Sequence, residues 1–407
     1  MFKVFHVLLF CIAAFLTACA EHVISPSERA VRELTVAEKR LVETGNKFGF
    51  KLFGEIVRQE QSKNIFVSPL SVSMALGMTY NGANGSTETA MRQTLEFGDM
   101  TLKEINSSYK SLIELLSQLD PKVKFQLANS IWYRQECTFE PAFINLNQTY
   151  FNAVVRSLNF SDPNAAKTIN GWVEQHTNGK IKEIVDDPIG RDLVMFLINA
   201  IYFKGIWTYQ FDPQQTREEQ FNLPDGSRKP CKMMNLRADL PYFANAQFQA
   251  VELPYGDGDF SMTILLPNPQ TPLDALVADF NQTNWALWSK RFVTQTGSLS
   301  LPKFLLNYDL LLNDVLKALG MEIAFSPDQA DFTRMDKQGG LFISKVKHKT
   351  FVAVNEEGTE AAAVTSVEIG RTSVGGFIMR VDRPFIFVIR ENHSGTLLFV
   401  GKIVAPS

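Results

Sequence analysis

Apolar residues recur at helical spacing early in the chain and at strand spacing late. Leu41, Phe48, Leu52 and Ile56 fall on one helical face. The Thr35-x-x-Glu38 signature ahead of them is a capping box, in which each side chain satisfies a backbone N–H that the first turn leaves open. Together they predict an amphipathic helix over 35–59. The stretch 63–84 starts strand-like and continues helical, 102–119 is a second helix candidate, and 165–179 is a third that stops at Gly179. Between them 123–133 alternates with the period of a half-buried strand.

From Asp192 onward strand signals dominate. Continuous apolar runs cover 194–203 and 260–266, the second stopped by Pro267. Runs at 299–306 and 342–354 follow, with a helical pattern at 309–319 between them. The final runs, 377–389 and 396–404, flank the hairpin-type turn Glu391-Asn392-His393-Ser394-Gly395. Helices early and strands late, with no dividing linker, predict an α+β fold in one domain over 35–407 with large antiparallel or mixed sheets.

At 407 residues, 45% hydrophobic and 20% charged, the chain has the composition of a globular protein with a sizeable core. A net charge of −3 without any Lys/Arg cluster argues against a nucleic-acid partner. The N-terminus reads as an export signal. Lys3 precedes an apolar run over 4–18 that is too short for a membrane span. Leu16-Thr17-Ala18-Cys19 resembles a bacterial lipobox, with residues 1–18 removed and Cys19 lipidated. Ala18-Cys19-Ala20 also fits secretory cleavage after residue 20. Residues 19–34 read as a polar tether. The expected location is extracellular or outer-membrane-anchored, with membrane contact only through a lipid.

Cys137 and Cys231 remain, expected as free, buried thiols. The N-x-S/T triplets at Asn84, Asn106, Asn147, Asn159, Asn281 and Asn392 would matter only in a eukaryotic secretory path.

Catalytic signatures are missing from the sequence. It has five His and no G-x-S-x-G, H-E-x-x-H, C-x-x-C or Walker pattern. Gly256-Asp257-Gly258-Asp259 lacks the other calcium ligands and reads as a turn, and Asp186-Asp187 reads as solvated turn residues. No metal or cofactor is expected, and the protein is not expected to be an enzyme. Along 342–354, Val346, His348, Thr350, Val352 and Val354 share one side of a strand, while Lys345, Lys347 and Lys349 share the other. His348 therefore points inward and reads as a hydrogen-bonded core histidine.

The stretch E-E-G-T-E-A-A-A-V-T-S-V-E-I-G-R-T-S-V-G-G from Glu356 starts as a turn, becomes a tract of Ala and β-branched residues, and ends in a Gly pair. An ordinary exposed loop is rich in Gly, Pro, Asn and Asp throughout. Most of this one could equally lie down as a strand. In strand geometry Thr359, Ala361, Ala363 and Thr365 share one face, small and uncharged; Glu360, Ala362 and Val364 share the other. No Pro and no inward charge interrupts it before Arg371.

The chain resembles the serpins over nearly its whole length, from about Leu41 to Pro406. The resemblance rests on Asn64-Ile65-Phe66-Val67-Ser68-Pro69-Leu70-Ser71, Asn170-Gly171-Trp172-Val173 and Thr177-Asn178-Gly179-Lys180-Ile181. It continues with Asn199-Ala200-Ile201-Tyr202-Phe203-Lys204-Gly205, Trp207, Glu252-Leu253-Pro254-Tyr255, Leu301-Pro302-Lys303, residues 354–363 and Asp382-Arg383-Pro384-Phe385. It implies three β-sheets, eight or nine helices and an exposed reactive-centre loop.

It further implies an irreversible inhibitor that traps a serine endopeptidase as its acyl-enzyme when the cut loop enters the main sheet. The alternative is a non-inhibitory serpin acting as a binding protein. By the same resemblance Glu356, Glu357, Gly358, Thr359, Glu360, Ala361, Ala362 and Ala363 form the hinge, and Ser68, Ser71, Asn199 and His348 control sheet opening. Trp207, Lys303 and Glu356 mark where insertion starts. Family spacing puts the reactive bond at Thr372–Ser373, which suits an elastase-like protease. A loop one residue shorter puts it at Arg371–Thr372, which suits a trypsin-like one. The implied partner is that protease, bound covalently by a monomer.

Overall fold

The computed structural model describes residues 31–359 and 376–407. Among these residues the helices are α1 (Val36–Gln59), α2 (Pro69–Tyr80), α3 (Gly85–Thr94), α4 (Leu102–Leu116), α5 (Pro141–Phe151), α6 (Ala165–His176), α7 (Leu273–Asp279), α8 (Gln282–Trp288) and α9 (Asn313–Leu316). The first starts where the sequence predicts. Thr35 Oγ1 accepts from the Glu38 N–H at 3.2 Å, and Glu38 Oε2 accepts from the Thr35 N–H at 2.6 Å. Leu41, Phe48, Leu52 and Ile56 form its buried face. In α2, Pro69 sits at the first helical position, where its missing N–H costs nothing, and Ser68 caps the turn through the Ser71 N–H. Nearly every residue of α2 is buried, so this helix lies inside the molecule rather than on it.

Among the described residues the strands form two hydrogen-bonded sheets. The smaller runs in the order β10 (Phe304–Leu311), β11 (Lys347–Val354), β12 (Gly358–Thr359), β4 (Met195–Ile206), β2 (Val123–Arg134), β3 (Val154–Leu158). The larger runs β1 (Ile65–Val67), β15 (Leu397–Ile403), β14 (Phe385–Glu391), β8 (Phe260–Pro267), β7 (Phe248–Tyr255), β6 (Arg228–Ala244), β9 (Val293–Pro302), β13 (Phe377–Arg380), with β5 (Arg217–Asn222) beside β6. It divides naturally at β6. Tyr242–Ala244 pair with β7, whereas Met233–Tyr242 pair with β9. The expected three sheets are thus one of six strands and two that share a long strand. Fold class, helix content and strand-rich second half are those expected.

Four details differ from the sequence reading. The 309–319 helix starts only at Asn313, because Asp309–Leu311 pair with Lys347–Lys349 as the end of β10. The strand expected over 342–354 begins at Lys347. The run 299–306 is two strands, broken at Lys303, whose N–H turns to the Lys232 carbonyl. The run 377–389 breaks before Pro384, leaving β13 parallel to β9 and β14 antiparallel to β8.

Candidate functional site: a two-residue strand wedged into the six-stranded sheet

The site is assembled at the end of β11. After Val354 the chain reverses around Asn355, whose Oδ1 accepts from the Glu357 N–H at 3.0 Å and the Gly358 N–H at 3.2 Å. The returning chain enters the sheet as β12. Thr359 pairs with Val354 on one side and Gly205 on the other, and Gly358 lies opposite Ile206. Among the described residues β4 and β11 are joined through this short strand alone. Gly358 is required by close approach: a Cβ there would stand 2.0 Å from the Gly205 carbonyl oxygen.

Each predicted insertion-start residue holds this wedge. The Trp207 N–H donates to the Glu357 carbonyl at 2.8 Å and its indole N–H to the Asn355 carbonyl at 2.9 Å. Its ring stacks on Tyr255 with centroids 4.4 Å apart. Glu356 accepts from Lys303 Nζ at 2.7 Å and from Thr216 Oγ1 at 2.8 Å. Burial pushes the Glu356 carboxyl up, but Lys303, backbone donation and the Thr216 hydroxyl outweigh it, and the net shift is downward. The Thr359 hydroxyl meets the Tyr255 hydroxyl at 2.6 Å in a fully enclosed place, and burial drives the Tyr255 phenol upward. Thr359 is 2% exposed, so the face assigned to it in the sequence is the inward one.

The residues expected to control sheet opening form one connected chain beneath the strands. His348 Nε2 accepts from the Ser68 N–H at 3.0 Å; Ser68 Oγ donates to the Leu398 carbonyl at 2.7 Å and receives the Ser71 N–H at 3.2 Å. Ser71 Oγ reaches the Asn199 carbonyl at 3.4 Å. The N-terminus of α2 therefore ties β11 to β4 from below. His348 is buried, and the loss of solvent drives its pKa down to about 4, against a smaller upward pull from Asp309, so the ring is neutral at pH 7. Asn199 Nδ2 donates to Asn129 Oδ1 at 2.7 Å, while Asn199 Oδ1 is enclosed and accepts no hydrogen bond among the described residues. Ser71, Asn199 and His348 also border a cavity of about 220 Å³, whose lining includes Leu76, Met195, Leu197 and Val346.

Glu360, Ala361, Ala362, Ala363, Arg371, Thr372 and Ser373 lie outside the described residues, as does Cys19. Cys137 and Cys231 form no disulfide among the described residues, as expected, but are half-buried rather than buried; burial and nearby carboxylates push both thiols up. The 256–259 segment is a turn, as read. The Asp257 N–H donates to Asp120 Oδ2 at 2.7 Å, and no metal-binding cluster occurs among the described residues. Sequence reasoning missed Tyr255, Thr216, Asn355 and Asn129. Two left a trace: Tyr255 closes the motif Glu252-Leu253-Pro254-Tyr255, and Asn129 is a polar residue on the inward face of a strand whose other inward members are Val123, Phe125, Leu127 and Ile131.

Residues 43–406 match the family described as Serpin (serine protease inhibitor). Serpin B10 of Sorex araneus is 34% identical over 389 residues, spanning 89% of this chain and 98% of that protein. The native-state structure of the thermophilic serpin tengpin superposes with a TM-score of 0.83 at 31% identity, covering 92% of this chain and 96% of that one. Human thyroxine-binding globulin in complex with its ligand gives 0.84 at 28%, covering 91% of this chain and 100% of that one. A mammalian relative lends no support to the bacterial lipoprotein expectation.

Proposed function

The chain belongs to the serpin family, and from that premise we propose that it is a single-use inhibitor of serine endopeptidases that traps its target by strand insertion. The observation that carries the reading is the register of Thr359. Continued one residue per step along both neighbours, it sets Ala361 between Phe203 and Val352, and Ala363 between Ile201 and Thr350. Thr365 then falls between Asn199 and His348, bringing a hydroxyl to the Asn199 oxygen that lacks a donor. Val367 and Ile369 arrive opposite Leu197 and Met195, which line the cavity. Small residues thus meet the tight end of the sheet, the hydroxyl meets the polar cluster, and the large apolar residues meet the void. On the outer face Glu360 comes opposite Lys204, and Glu368 opposite Lys345.

In the proposed reaction the protease serine oxygen bonds to the scissile carbonyl carbon. The C–N bond breaks, and the leaving amine takes a proton as the new N-terminus. The loop, still esterified to the protease through its new C-terminus, then extends β12. Strand addition and release of stored strain are general modes of this kind. The bond is Thr372–Ser373 for an elastase-like target or Arg371–Thr372 for a trypsin-like one. We further propose export through residues 1–18 with Cys19 lipidated; incorporation of labelled palmitate into the wild type but not into Cys19→Ser tests it.

Incubation with trypsin and with elastase decides the inhibitory reading. A covalent band that survives boiling in detergent is expected, and the mass of the released C-terminal peptide names the bond. Thr359→Arg, which would bury a charge where Thr359 meets Tyr255, should abolish the band while cleavage continues. Cleavage of the wild type without a covalent band would leave the binding-protein reading in its place.

A further inference from the structure

The segment 177–194 links α6 to β4 and lies across the outer face of the six-stranded sheet. On the β2 and β4 side its hold is apolar. Ile181, Val185 and Ile189 join Ile169 and Val173 of α6 over Trp132 and Ile198. Asn170 of α6 reinforces it: Oδ1 accepts from the Ile184 and Val185 N–H groups, both at 2.9 Å, and Nδ2 donates to the Val185 carbonyl. Asn178 adds polar contacts to β2, receiving Lys124 Nζ at 3.0 Å and donating to Gln126 Oε1 at 2.8 Å.

On the far side of the line between β4 and β11 its contacts are charged. Asp186 Oδ1 pairs with Lys347 Nζ at 2.6 Å and Oδ2 with Lys345 Nζ at 3.2 Å, while Lys180 Nζ sits 4.7 Å above the Phe351 ring. Ile184, Val185 and Asp186 also border the cavity.

We propose that Asp186, with Lys345 and Lys347, is a latch that sets how fast a strand enters between β4 and β11. The placement is asymmetric in a telling way. A strand entering from β12 must pass under this segment, and the segment must lift from one side. The apolar side is anchored by buried area, which does not let go and re-form cheaply. The β11 side is held by a carboxylate forked between two lysines at 57%, 49% and 26% side-chain exposure, an interaction weak enough to open and strong enough to slow opening. Asp186 is therefore a positioning residue: it acts through the segment it pins.

This inference rests on the insertion reading above, so its test separates the two. A synthetic peptide of residues 359–370 is added to full-length protein, and annealing is followed by the rise in thermal midpoint. Asp186→Asn should anneal roughly three-fold faster than wild type at low salt, with the difference closing at about 0.5 M salt as screening dissolves the wild-type latch. Lys345→Gln/Lys347→Gln should match it and add nothing in combination. Equal low-salt rates in correctly folded proteins, or a gap that high salt leaves intact, would overturn the latch. Failure of the peptide to anneal to any of them would overturn the insertion reading instead. Hydrogen exchange across 180–194 still decides the latch in that event: faster exchange in Asp186→Asn supports it, and unchanged exchange refutes it.

Discussion

The two sheets use similar residues to opposite ends. In the nine-stranded sheet β8 and β15 are buried at every position, and β14 at all but one. Phe66 stacks on Phe387 and Phe399 at centroid distances of 5.6 and 4.9 Å, and Phe387 lies so close over Gly401 that a Cβ there would come within 2.2 Å of the ring. No strand could be added inside it. In the six-stranded sheet Met195–Leu197 of β4 are only half-buried, a cavity borders them, and a two-residue strand stands where a long one would fit. Burial and room are thus assigned to different sheets: one is sealed, while the other has the space that the proposed insertion requires.

The largest effect expected from breaking this contrast is in the sealed sheet. Phe387→Ala should destabilise the protein by about 3–5 kcal/mol through the void it leaves. Yet the surviving folded fraction should still gain heat resistance on loop cleavage. Loss of that gain would show that the two sheets are not independent, by comparing melting curves of intact and cleaved protein.

A second test uses pH. The folded pKa of His348, about 4, lies below its ordinary 6.5, so the unfolded chain binds the proton first as pH falls. The stability this residue confers is complete above 6.5 and declines through the window down to about 4, by on the order of 3 kcal/mol in all. Below that it is flat. Protonated His348 also cannot accept the Ser68 N–H, so acid should loosen the six-stranded sheet first. Urea titrations of wild type and His348→Gln should diverge within that window; parallel curves would remove His348 from this role.

The smallest effect belongs to the wedge's rim. Lys303→Met should lower stability by only about 1 kcal/mol, since Lys303 is partly exposed, but it leaves the enclosed Glu356 carboxylate without its cation. Hydrogen exchange should rise at Glu357 and Gly358 and stay level in β8. A uniform rise would mean that the rim supports the whole fold.

Much of this was legible in the chain because local and global preferences agree. The Thr35–Glu38 box and the inward set from His348 to Val354 are readable from periodicity, and both appear where expected. The long β6 was not: its Arg, Lys, Pro and Asp residues carry no apolar run, and it is a strand because β5, β7 and β9 supply partners. Asp309–Leu311 failed the other way, a helical pattern overridden by pairing with β11. At the site, residues to which the resemblance attached a role were found, and roles defined by distant approach were not, even for Tyr255, which closes a quoted motif. Nothing next to Tyr255 in sequence says that its hydroxyl will meet Thr359, and Asp186-Asp187 gave no hint of two lysines far down the chain.

The far end of the loop has a consequence of its own. Gly376 passes so close to Thr296 that a Cβ would stand 2.0 Å from its carbonyl oxygen; β13 then lies along β9 at the sheet edge, and β14 and β15 sit between β8 and β1, strands contributed by earlier parts of the chain. Severing the backbone anywhere in 360–375 therefore leaves two polypeptides woven into one fabric. A sizing column should register a single particle after the cut, and only a denaturant should part the pieces.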